Sequence, residues 1–420
     1  MLLAGRSRVD PRIERLQRRC VANPRTLSLA GGLPSNETFP LEALARALRN
    51  AGAEALQYDW PEGRAGLRAR IAARLKERGV DVTAGDVIVT NGAQQAIDLA
   101  TRVWASEAGR AWVPPECYPA ALELFRARGL RLTTKPTGAD IAYAMPLVAN
   151  PTGLSLDARQ RSALLEQSPL VIEDDAYAEL RFDGKSEPPL LARAPERVAY
   201  VGTFSKTLCP GLRVGWLVVP PSCREAARRA KQLLDLQSNG LAQCMVERFL
   251  AVEDFARHLD GLRAHYARRA EALAVAVRRE LPSMTFPEPL GGFSLWLTSD
   301  LSGDDADLLA TALAYGVGFD PGSDFRPSGS SVPLSMRLSF SSLPIESMPD
   351  AARRLARAVA DYGRRHATCR SARHVHSPDA SEKDAKSQRE VPPTAATEAP
   401  EQTHPAEERG RRAATAAARE

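Results

Sequence analysis

The chain has 420 residues, and its 56 basic and 51 acidic side chains leave a formal net charge of only +5. So small an excess over this length gives no reason to expect a nucleic-acid or membrane partner. Only two of the six histidines precede residue 366, which argues against a histidine-based catalytic triad and a histidine-rich metal site. The six cysteines have no Cys-x-x-Cys spacing, and no apolar run is long enough for a signal peptide or a membrane span. We therefore expect a soluble, cytoplasmic protein.

Short apolar runs alternate with amphipathic segments between about residues 80 and 220. Strands are predicted at residues 86–90, 111–113, 141–145, 170–173, 198–202 and 214–219, and helices at 93–106, 119–128 and 156–167. Because the strands are almost continuously apolar and alternate with helices, they indicate an α/β fold with a mostly parallel sheet and helices on both faces. Ligands bind such sheets at the carboxyl ends of the strands, where polar residues follow each apolar run.

The remainder of the chain predicts a smaller domain and a tail. Helices are expected from residue 221 to about 280, then a strand at 291–297, a helix at 304–315, a strand at 335–340 and a helix at 347–362. We therefore expect a large domain at 51–280 and a small α/β domain that combines an N-terminal segment, 1–50, with residues 281–366. Residues 367–420 are charged and nearly free of large apolar side chains, which predicts a disordered tail.

Two polar turns that follow predicted strands are candidate ligand sites. Residues 91–95, Asn-Gly-Ala-Gln-Gln, join a strand to a helix, and a helix N-terminus that begins at a glycine can bind an anion through its free N–H groups. The same turn can simply cap the helix. Residues 150–153, Asn-Pro-Thr-Gly, can offer the side-chain N–H of Asn150 to an oxyanion, or can only reverse the chain.

The strand at 170–173 ends in three acids, Glu173, Asp174 and Asp175, with Tyr177 close behind. These acids can cap a helix, bind magnesium or be ordinary polar loop residues, or one of the carboxylates can hold a heterocyclic nitrogen protonated.

The sharpest candidate is a lysine. Lys206 is one of seven lysines in the chain and follows a hydroxyl-rich strand end. Desolvation there would lower the pKa of the amine and make it a nucleophile that forms a Schiff base, whereas a solvated surface lysine is the alternative. Arg213 adds a guanidinium that suits a phosphate dianion.

In this order the motifs resemble the fold-type I pyridoxal-phosphate aminotransferases of class I/II, over residues 27–362. The closest likeness is to the 2-aminoadipate and kynurenine-type aminotransferases and to the catalytic domain of MocR-type regulators. The resemblance implies pyridoxal 5′-phosphate as the cofactor, Lys206 as the Schiff-base lysine and Asp174 as the partner of the pyridine nitrogen. The other implied cofactor-binding residues are Tyr177 and Asn150 at the O3′ oxygen, Tyr118 against the ring, and Gly92, Ala93, Gln94, Thr203, Ser205 and Arg213 at the phosphate.

The resemblance also implies a substrate site and a homodimer. Gly32 lies in a segment, Ala-Gly-Gly-Leu-Pro, that is similar to a loop closing on the substrate carboxylate, and Arg337 matches the arginine that binds this carboxylate. Asn150 also faces the substrate by this likeness. Tyr58 resembles a tyrosine that reaches the phosphate of the neighbouring subunit, which implies active sites shared between two subunits.

Two positions depart from the family pattern. Ala93 stands where relatives often have serine, which removes one hydroxyl from the phosphate site, and Ala149 stands where this branch often has glutamine, which leaves side-chain specificity open. A Gly-x-Gly pair at 316–318 follows a predicted helix instead of a strand, so it does not indicate a dinucleotide site.

The implied reaction moves an amino group between an amino acid and a 2-oxo acid, with Lys206 carrying the Cα proton as base and then acid. The same fold also hosts lyases and cyclases that use this cofactor, so a reaction of that kind remains open. A non-catalytic effector-sensing domain is a further alternative. Only about 27 residues precede the Ala-Gly-Gly segment, however, and these are too few for a DNA-binding module.

Overall fold

Twelve strands and ten α-helices lie within residues 25–375, which the computed structural model describes apart from 106–107, 302 and 331–332; of 367–375 it describes the backbone alone. The strands are β1 (Leu27–Leu29), β2 (Val87–Thr90), β3 (Arg110–Trp112), β4 (Arg131–Thr133), β5 (Ile141–Ala144), β6 (Val171–Asp174), β7 (Val198–Thr203), β8 (Gly215–Val218), β9 (Met284–Thr285), β10 (Ser294–Ser299), β11 (Val317–Pro321) and β12 (Leu334–Ser339). The helices are α1 (Leu41–Arg49), α2 (Ala65–Glu77), α3 (Ala93–Trp104), α4 (Pro119–Ala127), α5 (Ala158–Gln167), α6 (Arg224–Asp235), α7 (Gly240–Val252), α8 (Phe255–Glu280), α9 (Asp305–Ala314) and α10 (Met348–Val375).

The large sheet has seven strands in the order β2-β8-β7-β6-β5-β3-β4. β8 is antiparallel to both of its neighbours, and the other pairs are parallel. The strands β2, β5, β6, β7 and β8 are buried at every residue. Only strands that are covered on both faces are buried throughout, so the prediction of a mostly parallel sheet between two helical layers is confirmed.

The small sheet has five strands in the order β1-β11-β12-β10-β9. β1 comes from the N-terminal part of the described chain and pairs in parallel with β11, whereas the other pairs are antiparallel. The predicted small α/β unit with strands from both ends of the chain is therefore present. The antiparallel pair β11–β12 matters for the site, because it places Asp320 directly opposite Arg337.

Several predicted boundaries are wrong. The strand predicted at 291–297 begins only at Ser294, because Gly292 has a φ of +81° that an extended strand does not allow. Four short strands, β1, β4, β9 and β11, and the helices α1 and α2 were not predicted.

The last helix continues to Val375, so the first residues of the predicted tail are helical. The rest of that tail, 376–420, lies outside the described residues. None of the described helices is both long and apolar enough to cross a membrane.

Candidate active site

The carboxyl ends of the parallel strands β5, β6 and β7 border a cavity of about 410 Å³. The predicted residues that line it are Gly32, Ala93, Gln94, Tyr118, Asn150, Asp174, Tyr177, Thr203, Ser205, Lys206, Arg213 and Arg337. Gly92 and Tyr58 do not line it. The cavity is thus made from loops that are far apart in the sequence and meet where the sheet ends, as expected for a mostly parallel sheet.

Lys206 follows β7 and is partly buried inside the cavity. Its Nζ lies 5.4 Å from the ring centroid of Tyr177 and 5.6 Å from that of Phe293. Burial, together with the nearby guanidinium of Arg337, lowers the pKa of this amine to about 8, while the carboxylate of Asp174 opposes the shift. A larger fraction of the amine is therefore neutral near pH 7 than in a solvated lysine.

Asp174 is the last residue of β6 and is only 1% exposed. Its carboxylate accepts hydrogen bonds from the hydroxyl of Tyr143 at 2.7 Å and from the backbone N–H of Ala176 at 3.2 Å. Burial raises the pKa of Asp174 to about 6, and these two donors partly offset the shift. The carboxyl group is thus ionised above about pH 6 and can pair with a positively charged ring nitrogen.

Tyr143 is a contact that the sequence analysis missed. It lies within the predicted strand at 141–145, and an aromatic residue in an apolar run is normally interpreted as part of the hydrophobic core. Its hydroxyl is the closest described donor to Asp174, and burial next to that carboxylate raises the pKa of Tyr143. The signal that was available is the hydroxyl itself, since a buried tyrosine hydroxyl usually has a hydrogen-bond partner.

Two further tyrosines line the cavity as protonated phenols. Tyr177 packs edge-on against Phe293 at 5.3 Å, and Tyr118 directly precedes helix α4. Burial raises the pKa of Tyr177 and of Tyr118, with the carboxylate of Asp174 adding to both shifts. Both hydroxyls therefore remain available as hydrogen-bond donors at neutral pH.

One end of the cavity is a cup of hydroxyl, guanidinium and helix N-terminal groups. The hydroxyl of Thr203 donates to that of Ser205 at 2.9 Å, and Arg213 approaches the Ser205 hydroxyl at 3.5 Å while donating to the carbonyl of Asn91 at 3.1 Å. Ala93 begins helix α3, whose first N–H groups have no partner within the helix, and both Ala93 and Gln94 line the cavity. Gly92 has a φ of +78°, and a Cβ there would lie 2.5 Å from Arg213 Nη2. The absence of a side chain at Gly92 therefore leaves room for the guanidinium of Arg213.

A partly buried hydrogen-bond network fixes the turn that begins helix α3, and the sequence analysis did not find it. The carboxylate of Asp235 accepts from Asn91 at 2.5 Å, from Gln95 at 2.7 Å and from Lys231 at 2.6 Å. Lys231 is fully buried, so its charge depends on Asp235. Asn91 and Asp235 lie 144 residues apart in the chain, so no local sequence pattern predicts this contact.

Arg337 also lines the cavity. Its Nη1 donates to the side-chain oxygen of Asn150 at 2.9 Å, and its Nε and Nη2 donate to Asp320 at 3.0 and 2.6 Å. Gly32 packs on the same guanidinium, since a Cβ there would lie 3.4 Å from Nη1. Asp320 was not predicted as a site residue.

Tyr58 is 77% exposed and lies on the surface in a single chain. Gly31 and Leu33, from the predicted Ala-Gly-Gly-Leu-Pro loop, also line the cavity. The lining residues that the sequence analysis missed are Pro119, Ala120, Glu123, Met145, Ala176 and Pro210. Among the described residues, no group of three or more acidic, histidine or cysteine side chains could hold a metal ion.

The donor set of this cavity suits pyridoxal phosphate. An anion cup lies at one end, and a buried carboxylate, an amine of lowered pKa and neutral phenol and amide donors lie beside it. Arg337 remains available to bind a second anionic group. Each of these groups matches one feature of the cofactor or of an amino-acid substrate.

Comparisons with known proteins agree with this donor set. The sequence model of the family described as Aminotransferase class I and II matches residues 26–142 and 144–355. The 2-aminoadipate transaminase of Thermus thermophilus is 34% identical, with 84% of this chain and 95% of that protein aligned. Aromatic-amino-acid aminotransferase 1 of Thermococcus litoralis is 31% identical, with 79% of this chain and 88% of that protein aligned.

Solved structures agree as well. The crystal structure of α-aminoadipate aminotransferase from Thermus thermophilus, complexed with N-(5′-phosphopyridoxyl)-L-leucine, matches with a TM-score of 0.77 and 33% identity. The match covers 85% of this chain and 96% of that one. The chain therefore belongs to the class I and II aminotransferase family and is a pyridoxal-phosphate-dependent aminotransferase of fold type I.

Proposed function

We propose that the cavity is the active site of this aminotransferase and that Lys206 is the residue that binds the cofactor aldehyde covalently. The observation that carries the proposal is the position of one partly buried amine, with its pKa lowered to about 8, in the same cavity as Asp174, Arg213 and Arg337. A neutral amine is the nucleophilic form of lysine, and the three partners supply one charge each for the ring nitrogen, the phosphate and the substrate carboxylate.

The residues that would hold pyridoxal phosphate follow from the donor groups. Asp174 would pair with the ring nitrogen, because a buried carboxylate that is ionised above about pH 6 stabilises a cation there. When bound, the cofactor supplies an electron sink for the electron pair left at the substrate Cα. The remaining proposed contacts are Asn150 and Tyr177 at the ring hydroxyl, Tyr118 against the ring face, and Gly92, Ala93, Gln94, Thr203, Ser205 and Arg213 at the phosphate.

Lys206 also moves the proton. Its Nζ would remove the proton from the substrate Cα as a general base and would deliver it, as a general acid, to the cofactor carbon that carries the aldehyde, and not back to Cα. A pKa of about 8 is close to the pH at which cytoplasmic enzymes work, so the amine can serve in both roles without a large penalty in either.

Arg337 and Gly32 would form the substrate carboxylate site, with Asn150 between this site and the cofactor. The guanidinium offers parallel N–H groups that match a carboxylate, and Gly32 leaves room beside it. Leu33 and Met145 add apolar groups to a lining that also includes the acidic side chain of Glu123. On the strength of the apolar groups we propose that donors with apolar side chains are accepted.

The test is an amino-exchange assay. The purified protein, loaded with cofactor, is incubated with L-leucine, L-phenylalanine or L-2-aminoadipate and with pyruvate or 2-oxoglutarate, and the new 2-oxo acid is measured. We expect exchange with at least one pair. Consumption of donor without amino-group transfer would instead indicate a lyase or cyclase, and no reaction across a broad panel would contradict the proposal.

We also propose a homodimer that shares its active sites. Leu56, Tyr58 and Trp60 are 76%, 77% and 72% exposed within a single stretch of chain, and a cluster of exposed apolar side chains marks an interaction surface. Tyr58 would reach the phosphate of the partner subunit. Sedimentation should therefore give twice the mass of the chain. The Tyr58→Phe variant should remain dimeric but bind the cofactor several-fold more weakly, because one hydrogen bond to a charged group is lost.

We further propose a division into a large domain at 51–280 and a small domain from 1–50 and 281–366. The existence of two separate sheets, one of seven and one of five strands, supports this division. A cytoplasmic location is supported by the free thiols of Cys117, Cys209, Cys223 and Cys244, which a reducing compartment preserves.

A further inference from the structure

The arginine assigned to the substrate carboxylate already has a carboxylate partner within the protein. Asp320 is fully buried on β11, directly opposite Arg337 on β12. Its Oδ2 accepts from Arg337 Nε at 3.0 Å and from Nη2 at 2.6 Å. The exposed fractions of the two side chains are 0% for Asp320 and 6% for Arg337, so water does not screen this pair.

Asp320 also holds the loop that borders the substrate site. The backbone N–H of Gly31 donates to Oδ2 at 2.9 Å and to Oδ1 at 3.2 Å. Gly31 and Gly32 have φ values of +92° and +56°, which glycine adopts without strain. One carboxylate therefore connects the guanidinium of Arg337 with the loop that packs on it.

Few N–H donors of Arg337 are left for a substrate, and the contacts of the guanidinium fix their direction. A guanidinium has about five N–H donors. Two of them, on Nε and Nη2, go to Asp320, and one on Nη1 goes to Asn150. One N–H on each of Nη1 and Nη2 is left, and the ring of Phe325, 4.7 Å from Cζ, limits rotation of the group.

We propose that Asp320 is a positioning residue for substrate binding, which fixes Arg337 and the Gly31–Gly32 loop so that the terminal N–H groups of the guanidinium face the α-carboxylate of the substrate. This inference rests on the proposed function of the cavity and deepens it. Asp320 touches neither cofactor nor substrate. It acts by keeping the carboxylate site ordered before the substrate arrives, which removes an ordering cost from binding.

The test replaces Asp320 with asparagine in the cofactor-loaded enzyme. Asparagine removes the negative charge that Oδ2 presents to Arg337 and to the N–H of Gly31. Its amide N–H₂, at the place of Oδ1, would face the N–H donor of Gly31. The guanidinium and the loop are therefore held less firmly. The probe is 4-methylpentanoate, which has the carbon skeleton and carboxylate of leucine but no amino group to react. We expect Asp320→Asn to weaken its binding, measured by calorimetry, about tenfold to a hundredfold.

A matched control is Asp305→Asn. Asp305 is also fully buried and accepts from the N–H and the hydroxyl of Ser323, each at 2.7 Å, but it does not line the cavity. It should lower the melting temperature and leave 4-methylpentanoate binding unchanged. A second variant, Asp320→Glu, keeps the charge and shifts the carboxylate by one C–C bond. It should also weaken binding and keeps the test possible if the asparagine variant does not fold.

A kinetic measurement separates positioning from general damage. L-leucine and 3-methylbutylamine differ only in the α-carboxylate, so loss of Arg337 orientation should slow the half-reaction of leucine and leave that of the amine unchanged. Binding of 4-methylpentanoate that is unchanged in both variants, or tighter because Arg337 has lost its counter-ion, would overturn the inference. Failure of the proposed function is recognised separately, because the wild type itself would then show no amino exchange.

Discussion

Replacing Asp174 with asparagine removes the charge proposed to face the ring nitrogen and changes little else. The side chain is 1% exposed, and the amide oxygen of asparagine can still accept from Tyr143, so the fold should survive. Removing one partner from a buried charge pair costs about 3–5 kcal/mol. If that loss appears in the transition state, kcat falls by about two to four orders of magnitude, since each ~1.36 kcal/mol is tenfold.

The assay is steady-state amino exchange with the best donor and acceptor, together with circular dichroism to measure the folded fraction. The neighbouring Asp175→Asn is the control, because Asp175 is also buried but pairs with Arg78 at 2.6 Å and with Tyr200 at 2.7 Å. It should lower the melting temperature and preserve kcat per folded molecule. A kcat for Asp174→Asn within tenfold of wild type, or an equal loss in both variants, would refute the reasoning.

Three other predictions concern protonation and the phosphate. Activity should fall as the pH drops through about 6, because the raised pKa of Asp174 makes its carboxyl group neutral below that value; a profile that is flat to pH 5 would contradict this. Cofactor uptake by the apoprotein, followed by absorbance, should accelerate about tenfold from pH 7 to 9 and then level off, because the pKa of Lys206 is about 8 and only the neutral amine reacts. A rate that still rises several-fold between pH 9 and 10 would indicate an ordinary lysine. Arg213→Met should weaken binding of pyridoxal phosphate about tenfold to a hundredfold in a titration, because the phosphate loses a charged donor. Binding of pyridoxal, which has no phosphate, should be unchanged. Equal weakening of both ligands would mean that Arg213 only stabilises the fold and does not bind the phosphate.

The central strands could be predicted because their environment is uniform along their length. β5, β6 and β7 are buried at every residue. β5 and β7 appear in the sequence as nearly continuous apolar runs, and β6 begins with two apolar residues before its two acids. The short strands β1 and β11 are different, since β1 has three residues and β11 contains an aspartate and a proline. Their pairing joins Leu27 with Val317, and contacts over such a separation leave no periodic signal.

The same distinction applies to the site. Lys206, Asp174 and Arg213 were predictable because each stands directly after an apolar strand or close to one, in a recognisable motif. Tyr143 and Asp320 were missed, because their roles depend on partners that only the fold brings near. Asp320, for example, accepts a hydrogen bond from the backbone N–H of Gly31, which lies 289 residues away in the sequence. Residues that we propose to touch ligand can therefore be inferred from local motifs, whereas residues that we propose to position them require the structure.

The most direct test of the account is chemical trapping at Lys206. The cofactor-loaded protein is reduced with borohydride and digested, and the peptides are analysed by mass spectrometry. We predict one modified peptide, which carries the reduced phosphopyridoxyl group on Lys206, and no modification in the Lys206→Ala variant. Modification at a different lysine, or none in a protein that exchanges amino groups, would contradict the central claim.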